Sequence, residues 1–430
     1  MKKTLLTICL VWMCFSLSAQ KIIDLSGKWS FSIDRQDNGE KEKWFSHTLN
    51  DCINLPGSMP EKLKGDEVTA KTQWTGSLYD SSYYYNPYME KYRKEGNIKF
   101  PFFLTPDKHY VGAAWYQKEV NIPADWKGER ILLFLERPHI ETTVWVNGQK
   151  TGMQNSLCVP HQYDITHYVR PGKCTITIRV DNRIKEINVG PDSHSITDQT
   201  QGNWNGIVGR ICLQTTPKTY FDDIQIYPEP EQKLARVKVV IKGTGTAKVK
   251  LSAESFNTDK KHIVPAIQQE IKLNKGVTET EMVLPMGNDM LLWDEFHPAL
   301  YKLKAEVTNG KKTEIKEIQF GMRRFEIKGK WFYVNGRKTQ LRGTVENCDF
   351  PLTGYAPMDV ESWERVFRIC RSYGLNHMRF HSFCPPEAAF MAADRVGFYL
   401  QPEGPSWPNH GPKLGLGQPI DKYLMDETIA

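Results

Sequence analysis

At 430 residues the chain exceeds what one hydrophobic core usually supports, so two or three domains are expected. Hydrophobic residues make up 40%, aromatics 11% and charged residues 25%, a globular composition that excludes a disordered or fibrous chain. The net charge of +6 is diffuse, with 56 Lys and Arg interspersed among 50 Asp and Glu, and gives no reason to expect nucleic acid as a partner.

The chain opens with MKKTLLTICLVWMCFSLSAQ, which has a basic end (Lys2, Lys3), an apolar run from Leu5 to Phe15, and small residues at Ser18 and Ala19. This is the pattern of a secretory signal peptide over 1–19, which predicts a periplasmic or secreted protein. Cys14 is a poor lipoprotein acceptor, because Trp12 and Met13 precede it where small residues are wanted. No later apolar run approaches the ~18 residues of a membrane span. After the leader the cysteines are Cys52, Cys158, Cys174, Cys212, Cys348, Cys370 and Cys384. An odd, scattered set without a CxxC pair is neither a disulfide framework nor a zinc site, so no metal and no cofactor is expected.

From Ile22 to about Pro217 short alternating strands follow one another: KWSFSI, AWYQKEVNI, RILLFLER, TTVWVNGQKTG and CTITIRVDN. Each has period-two patterning, and Asn147-Gly148 is a strong hairpin turn. Strands without intervening helical pattern imply a β-sandwich over 20–217. Residues 218–322 repeat the style with ARVKVVIKG, TAKVKLSAES, TETEMVLP and YKLKAEVTNG, enough for a seven-strand immunoglobulin-like sandwich. The Tyr-rich stretch 77–96 interrupts the first sandwich. Its Tyr83, Tyr84, Tyr85 and Tyr88 are either a platform for sugar rings or a loop packed on the fold.

The pattern changes over 323–430. TQLRGTV (Thr339 to Val345) reads as a strand, and MDVESWERVFRICRSYG as an amphipathic helix with Val360, Trp363, Val366, Phe367 and Cys370 on one face. LNHMRFH is a second strand, PPEAAFMAADRVG a second helix and FYLQPE a third strand. Such alternation predicts a parallel sheet with crossover helices. Functional residues of a parallel barrel lie at the carboxyl ends of strands, so Arg342, Arg379, His381 and Glu403 are predicted to converge on one face.

AWYQKEVNIPADWKGERILLFLE, VWVNGQKTG, CTITIRVDN and NWNGIVGRICL together resemble the galactose-binding-like jelly-roll domain of the family-2 glycoside hydrolases, the β-galactosidase, β-glucuronidase and β-mannosidase group. FGMRRFEIKGKWFYVNGRKTQLRG and MRFHSFCPPEAAFMAADRVGFYLQPE are similar to the first three strands of their catalytic (β/α)8 TIM barrel. The resemblance implies a carbohydrate substrate, with Arg342, Asn347, Arg379, His381, Ser382, Glu403, Trp407, Trp204 and Asn205 as substrate-binding candidates. The family's common Ser-His order is reversed here to His381-Ser382, which leaves open which of the two faces substrate.

Retaining hydrolysis needs two carboxyl groups ~5 to 5.5 Å apart. In the family one Glu follows an Asn after the fourth strand and the other ends the seventh, yet this chain has no Asn-Glu pair. Glu346, Glu387 and Glu403 are poor substitutes, since strand-end carboxylates more often pair with an Arg such as Arg342 or Arg379. A barrel takes about 250 residues, so 323–430 is expected to be an incomplete one. The expectation includes an exposed edge after FYLQPE and exposed apolar faces around Phe367, Phe390 and Phe398. The chain then reads either as the front portion of an exported β-glycosidase, inactive by itself, or as a non-catalytic periplasmic carbohydrate-binding module.

Overall fold

The computed structural model describes residues 20–76, 85–99, 101–407 and 413–429. The leader of 1–19, Tyr83 and Tyr84 lie outside these residues. Tyr85 and Tyr88 are each 83% exposed, so neither is a packing residue of the sandwich.

Two antiparallel sheets form the first sandwich. One has the order Ile22–Asp24, Gly206–Thr216, Arg130–His139, His161–Asp164. The other has the order Gln149–Asn155, Glu141–Val146, Gly172–Asp181, Ala113–Ile122, Gly27–Asp34, Asp51–Leu55. Alternate residues point between the sheets: Trp29 with Phe31, Leu133 with Leu135, Ile176 with Ile178 and Val180, Ile211 with Leu213. The opposite face of the six-stranded sheet is also covered, because Trp115 and Trp145 stack there against Phe45 and Leu49. Each fully buried apolar side chain of this size stabilises by roughly 3 kcal/mol. Asn147 (φ 50°) and Gly148 (φ 77°) form the expected hairpin turn, which needs positive φ at both positions.

The second sandwich is made from five strands, Tyr220–Glu229, Leu234–Phe256, Ile263–Pro285, Leu300–Asn309 and Lys312–Phe320. ARVKVVIKG and TAKVKLSAES are one continuous strand, not two. Gly243-Thr244-Gly245 is a bulge at which the register shifts, and Gly245 (φ 85°) takes a conformation that suits glycine. The first half of Leu234–Phe256 pairs with Tyr220–Glu229, the second half with Leu300–Asn309, and both halves with Ile263–Pro285. Counting the halves separately gives seven segments around one core of Val237, Val239, Val249, Leu251, Leu303 and Tyr301.

Beyond a small antiparallel sheet (Phe325–Lys328, Trp331–Val334, Arg337–Thr339) come three parallel strands, Gly343–Glu346, His377–Phe380 and Tyr399–Gln401, in sequence order. They are joined by helix α1 (Val360–Ser372) and helix α2 (Glu387–Val396), and helix α3 (Pro419–Ile429) follows. Asp359 caps α1 by accepting from Ser362 N, and Gly397 (φ 76°) ends α2 in the left-handed region. The predicted strand at Thr339 to Val345 is instead split. Its first residue closes the antiparallel sheet and its end opens the parallel one. The parallel strand starts only at Gly343, so Arg342 sits at its amino end.

Phe367 and Phe398 are not exposed as expected. They stack at 4.8 Å between α1, α2 and the sheet, with Trp363 and Phe380 beside them, while Phe390 is 38% exposed. Both sandwiches grip this unit. Trp293 Nε1 donates to Asp394 O, and Asn376 Nδ2 to Glu295 Oε2. On α3, Tyr423 Oη accepts from Leu157 N at 3.0 Å and Glu427 Oε2 from Cys158 N at 2.8 Å, with Ile420 packed beside Ile140 and Leu157.

Candidate functional site

At the carboxyl ends of the parallel strands the chain brings together Glu346 and Asn347 from the first, Arg379, His381 and Ser382 from the second, and Glu403 and Trp407 from the third. Arg379 Nε donates to Glu403 Oε1 at 2.5 Å, and Ser382 N donates to Glu403 Oε2 at 2.8 Å. Burial works to raise the Glu403 carboxyl, but these two donors outweigh it and hold the group below the ordinary range. Glu403 is thus an ionised, oriented acceptor, and a sugar hydroxyl is the kind of donor that its remaining lone pairs suit.

The first sandwich completes this site. Its segment 190–201 crosses to the strand ends, where His194 N donates to Ser382 Oγ at 2.8 Å and His194 Nδ1 lies 2.9 Å from His381 O. Ser195 Oγ donates to Ser382 O at 2.9 Å, and Ser193 Oγ to Pro405 O at 2.7 Å. Ser382 is held at φ 50°, a left-handed conformation that costs a non-glycine residue about 1 kcal/mol. Bonds on its N, O and Oγ compensate that strain, and they turn the loop so that His381 faces the same space as Trp407.

The rings of His194, His381 and Trp407 form a cluster, with centroids 4.3 Å apart for the two imidazoles, 4.7 Å for His381 and Trp407, and 5.2 Å for His194 and Trp407. Burial depresses His194 to about 4 and, with the Arg379 charge, lowers His381, so both rings are neutral at pH 7. His381 Nδ1 lies 3.3 Å from Asn347 Oδ1. Of the open pair, Ser382 is buried with its hydroxyl engaged, whereas His381 is half-exposed. The face offers aromatic surface beside neutral and anionic polar groups, the combination that binds sugar rings and their hydroxyls.

Glu346 differs from Glu403. Burial raises its carboxyl to about 7, even though Cys348 N and Asp349 N both donate to it. Its oxygens are engaged by its own loop.

Three predicted residues are elsewhere. Arg342, at the amino end of its strand, donates to Gly374 O and Gln340 O and faces Glu295, so it stands away from the cluster. Asn205 is fully buried inside the first sandwich, accepting from Tyr116 Oη and donating to Gly112 O and Val180 O. Trp204 is 4% exposed, stacked on His139 at 4.5 Å and tilted against Tyr355, with no face free for a ligand. His194 was missed by sequence reasoning. Its signal was PDSHSITDQT, a polar stretch between two strands whose Asp192, Ser193, Ser195, Thr197 and Asp198 are nonetheless buried.

Residues 22–217 match the family model described as the sugar binding domain of glycosyl hydrolases family 2, and residues 219–323 match the one described as glycosyl hydrolases family 2. The chain is 24% identical over 334 residues to a β-galactosidase of Thermoanaerobacter pseudethanolicus, covering 73% of this chain and 42% of that protein. It is 23% identical over 444 residues to the β-glucuronidase of Homo sapiens, covering 94% and 59% respectively. A solved family-2 member from Bacteroides cellulosilyticus matches with TM-score 0.66 at 19% identity, over 94% of this chain and 50% of that one. A β-glucuronidase from Ruminococcus gnavus in complex with D-glucaro 1,5-lactone matches with TM-score 0.68 at 19% identity, over 95% and 63%. These structural likenesses show a shared fold. The chain spans 42% and 59% of the length of the two curated relatives.

Proposed function

The chain belongs to glycoside hydrolase family 2, and on that premise we propose that it carries the sugar-recognition part of an exported β-glycosidase that removes terminal sugars from glycans by retaining hydrolysis. In this reading the three parallel strands open a (β/α)8 barrel, and the cluster at their carboxyl ends belongs to its mouth. The observation that carries the reading is the meeting of His194, from the first sandwich, with His381, Ser382, Glu403 and Trp407 at those ends. Asn347 and His381 are the hydroxyl partners, Trp407 the stacking surface, and Glu403 an anionic acceptor. Relatives named β-galactosidase and β-glucuronidase make a terminal β-galactoside or β-glucuronide the substrate class.

The general acid and the nucleophile are assigned to carboxylates outside residues 20–430. Glu403 is neutralised by Arg379, which makes it a weak nucleophile, and Glu346 is turned into its own loop. Those same engagements favour the second reading, a binding module without turnover. The full-length protein assayed on 4-nitrophenyl β-glucuronide, β-galactoside and β-mannoside distinguishes the two. Turnover of one aryl glycoside is the expected result; binding of glycans with no turnover of any of them establishes the module instead.

A further inference from the structure

Behind the Ser382 loop, between the first sandwich and the parallel unit, lies a narrow pocket of about 30 Å³ walled by Arg137, His139, Trp204, Tyr355, Met358 and Phe383, among others. Two buried donors on its wall, Arg137 Nε and Trp204 Nε1, have no hydrogen-bond partner among the described residues. A buried donor left without an acceptor costs about 1–3 kcal/mol, so two on one small cavity call for an occupant that accepts.

We propose that this cavity binds a halide-sized anion, chloride in the cell, held between Arg137 Nε–H and Trp204 Nε1–H. Charge is the first argument. The Arg137 guanidinium has no carboxylate within ion-pairing distance among the described residues, and its Nη1 instead donates to two carbonyls, Leu157 O at 3.1 Å and Cys384 O at 3.0 Å. Carbonyl dipoles compensate only part of the charge on this half-buried cation, and a monovalent anion at Nε adds to that compensation.

The remaining wall is the second argument. Gln201 is engaged at both ends, accepting from Cys348 Sγ and donating to Ser195 O. Tyr355 Oη donates to Glu61 Oε2, and Ser195 Oγ to Ser382 O. His139 Nε2 bonds Asn203 Oδ1. The wall therefore presents two donors and a positive charge, and otherwise mostly apolar groups. A water there satisfies both donors but finds few acceptors for its own hydrogens. Size is the third argument: the space exceeds the ~10–15 Å³ that one water needs, which admits a monatomic anion.

The site is independent of the glycosidase reading. It ties three segments together, since Arg137 also holds the Cys384 carbonyl two residues after Ser382. Crystals of the full-length protein grown in sodium bromide test it directly: an anomalous bromide peak between Arg137 Nε and Trp204 Nε1 is expected. A cavity that holds only water in bromide overturns the proposal. In solution, Tm at matched ionic strength is expected to rise by a few degrees, saturably, with chloride or bromide over gluconate. Trp204→Phe, which keeps the ring and removes the donor, is expected to weaken that dependence about tenfold. An equal Tm in chloride and gluconate counts against the site.

Discussion

Glu346→Gln is expected to stabilise the protein at pH 8 and to do little at pH 5. The carboxyl ionises near 4.5 when exposed, and burial in the fold lifts it to about 7. Between those values the folded protein binds a proton that the unfolded chain has lost. The group's contribution is therefore fully present below about 4.5 and is lost as pH rises through about 7. At about 1.36 kcal/mol per pH unit the gap amounts to about 3 kcal/mol, and partial exposure of the side chain reduces the realised figure to about 2 kcal/mol. Glutamine mimics the protonated acid at every pH and can still accept from Cys348 N through its carbonyl. Urea unfolding of wild type and variant at both pH values gives the comparison. The variant should lie within about 1 kcal/mol of wild type at pH 5 and about 2 kcal/mol above it at pH 8. A variant less stable at both values refutes the reasoning, because the backbone donors of Cys348 and Asp349 would then be holding an ionised carboxylate.

Ser382→Ala keeps the left-handed strain and leaves His194 N without its acceptor, so Tm-based unfolding should show a loss of about 1–2 kcal/mol; an unchanged stability contradicts the role given to that bond. Tyr423→Phe strands the buried Leu157 N–H and should cost about 1–3 kcal/mol; limited proteolysis of wild type should find residues 323–407 as resistant as the sandwiches, and preferential loss of that segment contradicts the clamped arrangement. His194 has a depressed value of about 4 against 6.5 unfolded, so its contribution is present above 6.5 and is lost as pH falls toward 4. Acid titrations of His194→Gln should lack that part of the sensitivity. Purified residues 20–430 should not hydrolyse aryl β-glycosides; turnover abolished by Glu403→Gln would give that carboxylate a catalytic role.

The sequence made the strand-end cluster readable because one rule places it: polar groups at the ends of successive parallel strands share a face, and Arg379, His381, Ser382 and Glu403 all obey it. Arg342 failed that rule for a local reason, since the predicted strand of Thr339 to Val345 is split and its parallel part begins only at Gly343, which puts Arg342 at the amino end. Trp204 and Asn205 look like presented sugar ligands in a one-dimensional reading, but each is fixed by partners far along the chain, His139 and Tyr116 among them. His194 was invisible for the same reason in reverse. Its contacts with Ser382 span 188 residues, and the polar stretch PDSHSITDQT marks a loop without showing where it docks. The Gly243-Thr244-Gly245 bulge shows a further limit, because glycine permits both a turn and a bend, and only the pairing of both halves with Ile263–Pro285 decides between them.

Sugar binding at the strand-end cluster is the property most directly open to measurement. Isothermal titration of the full-length protein with D-glucaro 1,5-lactone and with D-galactono 1,5-lactone measures this, with His381→Ala and Trp407→Ala as comparisons. Binding of one lactone, weakened at least tenfold by each substitution while Tm stays nearly constant, is the predicted result. Wild-type affinity retained in both variants, or lost only in step with their Tm, contradicts it.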